Sequence, residues 1–237
     1  MRNIWTIAQR EMLGYFTSPM AYAAMLFMLG TCGLIFVLST AQTGAKADMT
    51  GMFHSMVFLS LLMCPVITMG LLAQETNSGT YELLMTRPVR DAEVVVGKFL
   101  GAFGLYLAIV LISLEFALIF ERFGQPDWGQ ILSGYIGLLL AGMAFLAVGV
   151  FTSSLTSNQI AAWLMGLILL LFFWLVGWIG TGATNLLGDI AKSLSSYENF
   201  GDLEKGVIAS RSIIYFLSLI GFFLFLATRS LESRRTV

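Results

Sequence analysis

A chain of 237 residues in which 57% are hydrophobic and only 11% charged lies well outside the soluble range, where about 25% charged residues are usual. With a formal net charge of −1, no basic surface argues for nucleic acid, and no stretch is acidic enough for a disordered tail. This composition indicates an integral membrane protein, and its long apolar runs an all-α one. The two cysteines, Cys32 and Cys64, fall inside apolar runs and form neither a metal-ligand spacing nor a disulfide framework, so both are expected to be core side chains.

Residues 1–18 come first and are amphipathic. In NIWTIAQREMLGYFTSPMAY, Trp5, Ala8, Met12, Tyr15 and Phe16 share one helical face, while Arg2, Thr6, Gln9 and Arg10 share the other. This pattern predicts an interfacial elbow helix. Ser18 is placed to cap the next helix and Pro19 to begin it.

A membrane crossing needs about 20 predominantly apolar residues, and six segments qualify: Met20–Ser39, His54–Leu72, Phe99–Phe120, Ile131–Phe151, Ile160–Gly180 and Ser212–Thr228. The first of these is longer than the roughly 7–15 residue apolar core of a signal peptide and follows a long amphipathic stretch, so it counts as a span. Lys and Arg in the flanks set the orientation. With a cytoplasmic N-terminus, that side carries Arg2, Arg10, Arg87, Arg90, Lys98, Arg229, Arg234 and Arg235, against Lys46, Arg122, Lys192, Lys205 and Arg211 outside. An even number of spans then leaves both ends of the chain in the cytoplasm.

Under this orientation, Glu75–Lys98 (ETNSGTYELLMTRPVRDAEVVVGK) is the one substantial internal cytoplasmic link, because TSSLTSN between the fourth and fifth spans is short. Tyr81, Leu84 and Met85 are at helical spacing, and Pro88 ends or redirects that helix. Asp91 is positioned to cap the helix leading into span three. A solvated hairpin between spans would show the same periodicity. On the other side, residues 181–211 form the longest polar link, with Leu186, Leu187, Ile190 and Leu194 at helical spacing on the outer leaflet.

Catalytic chemistry finds little support. The only Gly-Lys pair, in VVVGKF, lacks the upstream glycine of a phosphate-binding loop and has Phe99 where Ser or Thr is needed. His54 is the single histidine, so a histidine-rich metal site or a Ser-His-Asp triad cannot be assembled in one chain. Glu115 is the one ionisable residue well inside a span. Such a residue is a functional candidate because burying its charge is expensive, although it lies close enough to Glu121 and Arg122 to reach the outer interface or pair locally. Small-residue pairs at Gly97/Gly101, Gly104/Ala108, Gly137/Ala141 and Ala162/Gly166 indicate close helix packing, within a subunit or between two.

Four motifs in order, REMLGYFTSPMAY, the Glu75–Lys98 stretch, FTSSLTSNQIAA and SSYENFGDLEKGVIASRSIIYFLS, resemble ABC-2-type transporter permeases. Within that group the chain is most similar to the gliding-motility and nitrous-oxide-reductase-maturation branch. The resemblance covers nearly the whole chain. It implies a six-span permease of a bacterial inner membrane, an exporter that forms its pathway as a homo- or heterodimer and is driven by a separate cytoplasmic ATPase. ATP and Mg would bind in that partner, with no cofactor, metal or catalytic site in this chain. An accessory subunit with an external domain is a further partner the resemblance allows, besides membrane lipid. It also implies that residues 75–91 form the segment that meets the ATPase. Within it the expected coupling residues are Glu75, Tyr81, Glu82, Leu84, Met85 and Arg87, with Gly79 permitting the entry turn and Pro88 fixing the exit. An ion-coupled carrier and a non-transporting membrane scaffold are the alternative readings. A carrier should show broken helices at matching positions, and Pro65 has no evident counterpart in the second half.

Overall fold

The computed structural model describes residues 2–43, 49–78, 90–123, 127–181 and 186–235. They form helices α1 (Arg2–Thr17), α2 (Pro19–Thr43), α3 (Thr50–Thr68), α4 (Gly70–Asn77), α5 (Asp91–Phe123), α6 (Trp128–Leu155), α7 (Gln159–Thr181), α8 (Leu186–Leu194), α9 (Ser196–Glu204) and α10 (Ser210–Arg235). Among the described residues, six spans are long and apolar enough to cross a membrane: α2, the α3–α4 pair, α5, α6, α7 and α10. Each includes one of the segments expected from hydropathy and most extend past it, since polar residues can continue a helix beyond the hydrocarbon.

Helix α6 is the hub. It packs against α3, α5, α7, α9 and α10, and its small residues let those neighbours approach. At Gly142 an added Cβ would overlap the ring of Tyr106 on α5. That ring is buried, and its hydroxyl donates to Leu138 O at 3.1 Å and shares a hydrogen bond of 3.0 Å with Ser60 Oγ. One phenol therefore ties α3, α5 and α6 together inside the bundle, where an unmade polar contact would cost several kcal/mol.

The helix starts show the expected local chemistry, with one correction. Asp127 caps α6, its Oδ1 accepting from the N–H of Gly129 at 2.9 Å and of Gln130 at 3.4 Å. Asn158 does the same for α7 through Ile160 and Ala161. Asp91, the expected cap of α5, is instead its first helical residue. Arg90 precedes it, and Glu93 Oε2 accepts from the Arg90 N–H at 3.2 Å, the return half of a capping box.

Helix α1 packs along the first turns of α5. Its contact face is not centred on Trp5, which is 62% exposed. Ile7 sits over Gly97, Glu11 over Gly101 and Met12 over Gly104. The missing side chains on α5 rotate α1 so that these residues enter the contact.

The two ends of the bundle differ in character. At one end lie α1, α4, the start of α5 and the end of α10, where Ser230 Oγ donates to Ser154 O at 3.2 Å. The first and last helices thus reach the same end. At the other, α8 and α9 fold over α6 and α7. Ser133 Oγ donates to Leu203 O at 2.6 Å, and Gln130 Nε2 donates to Thr50 Oγ1 at 2.8 Å and to Glu204 O at 3.1 Å. The turn after α9 needs Gly206, whose φ of 94° few other residues adopt.

Candidate functional site

The polar centre of the terminal end is Lys98. It stands in the second turn of α5 with its side chain 3% exposed, and its ammonium lies 2.8 Å from Glu11 Oε1 and 2.7 Å from Glu75 Oε1. Three elements meet at this cation: α1 supplies Glu11, α4 supplies Glu75 and α5 supplies Lys98 itself. A buried lysine is tolerated only when its charge is met in this way. Beside it, Tyr15 donates from its hydroxyl to Ile67 O at 2.6 Å, tying α1 to α3. Burial, assisted by the Glu11 carboxylate, pushes the Tyr15 phenol above its ordinary range, so it stays a donor.

Glu75 rides on a jointed helix. The expected second span, His54–Leu72, is α3 ending at Thr68, a turn at Met69, and α4 running on to Asn77. Pro65 lies one turn before the break and has no N–H to donate. Across the break Ser153 of α6 intervenes. Its hydroxyl donates to Met69 O at 3.0 Å and accepts from the N–H groups of Leu72 and Ala73, each at 3.1 Å. A buried side chain from another helix thus supplies bonds that the backbone ladder would otherwise make. The arrangement is a joint between α3 and α4 whose polar groups stay satisfied, with Met69 itself still in the helical region (φ −55°, ψ −34°).

Both features flank residues 79–89. Of the sequence-predicted docking residues, Glu75 is described and forms part of the lysine cluster. Gly79, Tyr81, Glu82, Leu84, Met85, Arg87 and Pro88 lie outside the described residues. Glu115 is exposed on α5 among exposed Leu111, Leu114 and Leu118, and forms no salt bridge among the described residues. Its distance from the Lys98 cluster, 17 positions along α5, separates the two.

Sequence reasoning had treated Lys98 as an orienting flank charge and Ser153 as part of a short polar link. Thr152, Ser153 and Ser154 are instead helical and buried. The available signal was a run of hydroxyl residues ending an apolar helix, but nothing in it names the partner at Met69. At the opposite end, His54 Nδ1 lies 3.6 Å from Glu204 Oε2, and its ring stands edge-on to Tyr197 at 5.3 Å. Trp174 completes that cluster, 5.3 Å from Tyr197. Among the described residues no group of three or more His, Cys, Asp or Glu could hold a metal ion.

What the Lys98 cluster provides is attachment: it ties α1, α4 and α5 together by charge, next to a joint between α3 and α4 at which Ser153 satisfies the backbone. The model of the ABC-2 family transporter protein matches residues 49–220. A probable ABC transporter permease protein NosY of Pseudomonas aeruginosa is 29% identical over 175 residues, covering 68% of this chain and 63% of that protein. The protein of the same description from Stutzerimonas stutzeri is 24% identical over 161 residues, covering 60% of this chain and 58% of its own length. The chain therefore spans less than two thirds of either relative.

Proposed function

This chain belongs to the ABC-2 transporter family, and from that membership we propose that it is the permease subunit of an ATP-binding-cassette exporter. Two such subunits form the pathway, and a separate ATPase supplies the energy from ATP and Mg. The chain lies in a bacterial inner membrane with both ends in the cytoplasm. Eight of the Lys and Arg residues on that side against five on the other support this orientation.

The single observation that carries the reading is the joining of Glu75 to Lys98 at the two ends of the 79–89 segment. A segment docked on a moving ATPase transmits nothing unless its stems are fixed to the spans. Here one stem is jointed at Ser153, and both are clamped through Lys98 to each other and to α1. Displacement of the segment by the ATPase would pivot α4 about Met69 and carry α1 and α5 with it. Tyr81, Glu82, Leu84, Met85 and Arg87 make the docking surface, Gly79 permits the entry turn and Pro88 fixes the exit, while Glu75 ties the first stem to Lys98.

Co-purification tests it. A nucleotide-hydrolysing subunit should come down with the tagged chain from membranes that contain both, and its ATPase rate should rise in the complex. Its reproducible absence would favour a carrier or a scaffold.

A further inference from the structure

Beside the Lys98 cluster, a cavity of about 650 Å³ opens between α1, the first turns of α2, the α3–α4 joint and the starts of α5 and α7. Its volume falls in the range of about 300–1,000 Å³ typical of small-molecule sites. The lining is divided by chemistry. Ala21, Ala24, Val66 and Leu105 give an apolar wall, and Arg10, Gln74 and Gln159 give a polar rim. The two amides converge, since a Cβ built at Gly70 would be 3.3 Å from Gln74 Oε1 and 4.0 Å from Gln159 Nε2.

Arg10 differs from Lys98 in having no salt bridge among the described residues, and it is exposed. A guanidinium of this kind recognises a phosphate through paired N–H donors. The cavity lies where amphipathic α1 turns through Ser18 into apolar α2, the level at which a span meets headgroups. Glu11 and Glu75 also line it, so an anionic group is held toward Arg10 and away from them. Lys98 is already met by Glu11 and Glu75, which leaves the Arg10 guanidinium as the cation in the lining that a headgroup phosphate could engage.

We propose that the cavity holds one diacyl phospholipid from the leaflet on the side of the chain termini, its phosphodiester on Arg10 and its upper acyl carbons along Ala21, Ala24, Val66 and Leu105. The lipid fills the space between the elbow and the jointed span. The inference does not depend on ATPase docking.

The full chain, purified in mild detergent, would be examined by native mass spectrometry together with Arg10→Gln, Ala24→Phe and Leu26→Phe. Leu26 is 77% exposed and outside the cavity lining. Wild type and Leu26→Phe should each retain a phospholipid through a delipidating wash. Arg10→Gln should retain about tenfold less, the equivalent of one charge-assisted contact, and Ala24→Phe none. A photo-crosslinker at Ala24 should label phospholipid. Equal retention by all four proteins would overturn the proposal, as would crosslinking of Ala24 to a second copy or another polypeptide in place of lipid.

Discussion

Lys98 Nζ lies 2.7 Å from Glu75 Oε1, joining two residues 23 positions apart that bracket the 79–89 segment. The same ammonium meets Glu11, 87 positions away. The two ends of the segment are therefore tied to each other and to α1.

Removing the cation tests this directly. Lys98→Met would leave two carboxylates facing each other, each only partly exposed, at a cost of about 3 kcal/mol. Thermal unfolding in detergent should show a clear drop in melting temperature. The triple variant Glu11→Gln, Glu75→Gln, Lys98→Met removes the repulsion, so it should recover most of the stability while ATPase stimulation remains low. A triple variant with normal stimulation would mean the charges serve folding alone.

The joint carries its own expectation. Ser153→Ala removes the acceptor of the Leu72 and Ala73 N–H groups, costing about 1–3 kcal/mol for buried donors left unmade. Amide hydrogen exchange over residues 70–77 should accelerate while exchange in α6 changes little. Unchanged protection there would show that the joint does not depend on Ser153.

Close packing at the bundle centre can be probed with two glycines. Gly142→Ala forces the Tyr106 ring aside and disturbs its hydrogen bonds, for a cost of about 1–3 kcal/mol. Gly30→Ala adds a methyl group where nothing lies within 4 Å and should be neutral or slightly stabilising. Melting temperatures of the two variants compare them.

Reporter fusions address orientation. Fusions at Val237 and near Arg87 should read as cytoplasmic, and one near Glu198 as external. An external signal at Val237 would sink the arrangement of six spans with both ends inside.

The spans were legible in the sequence because a run of some 20 apolar residues has few other uses, whatever its neighbours are. The helical segment Leu186–Leu194 was likewise visible from its leucine spacing. Long-range polar partners were not. Lys98 looked like any flank cation, and only the fold brings Glu11 of α1 and Glu75 of α4 to it and leaves it buried. The same glycines shifted the contact face of α1 from Trp5 toward Ile7 and Glu11. Pro65 marked a weak point in the second span, but the break falls at Met69, set by Ser153 from a helix some 80 residues later. Of the docking residues, Glu75 alone can be placed in the structure, and its role at Lys98 was not foreseen.

The measurement closest to the central claim pairs a pull-down with an ATPase-stimulation assay on Leu84→Asp combined with Glu82→Arg. Removing an apolar anchor from an interface hot spot costs on the order of 2 kcal/mol or more, whereas a rim charge contributes about 0–1 kcal/mol. The double variant should insert and dimerise normally, recruit the ATPase weakly and lose coupled transport, while Leu187→Asp in the outer link spares recruitment. Full recruitment and full coupling by the double variant would contradict the account and leave residues 75–91 as a connector between spans.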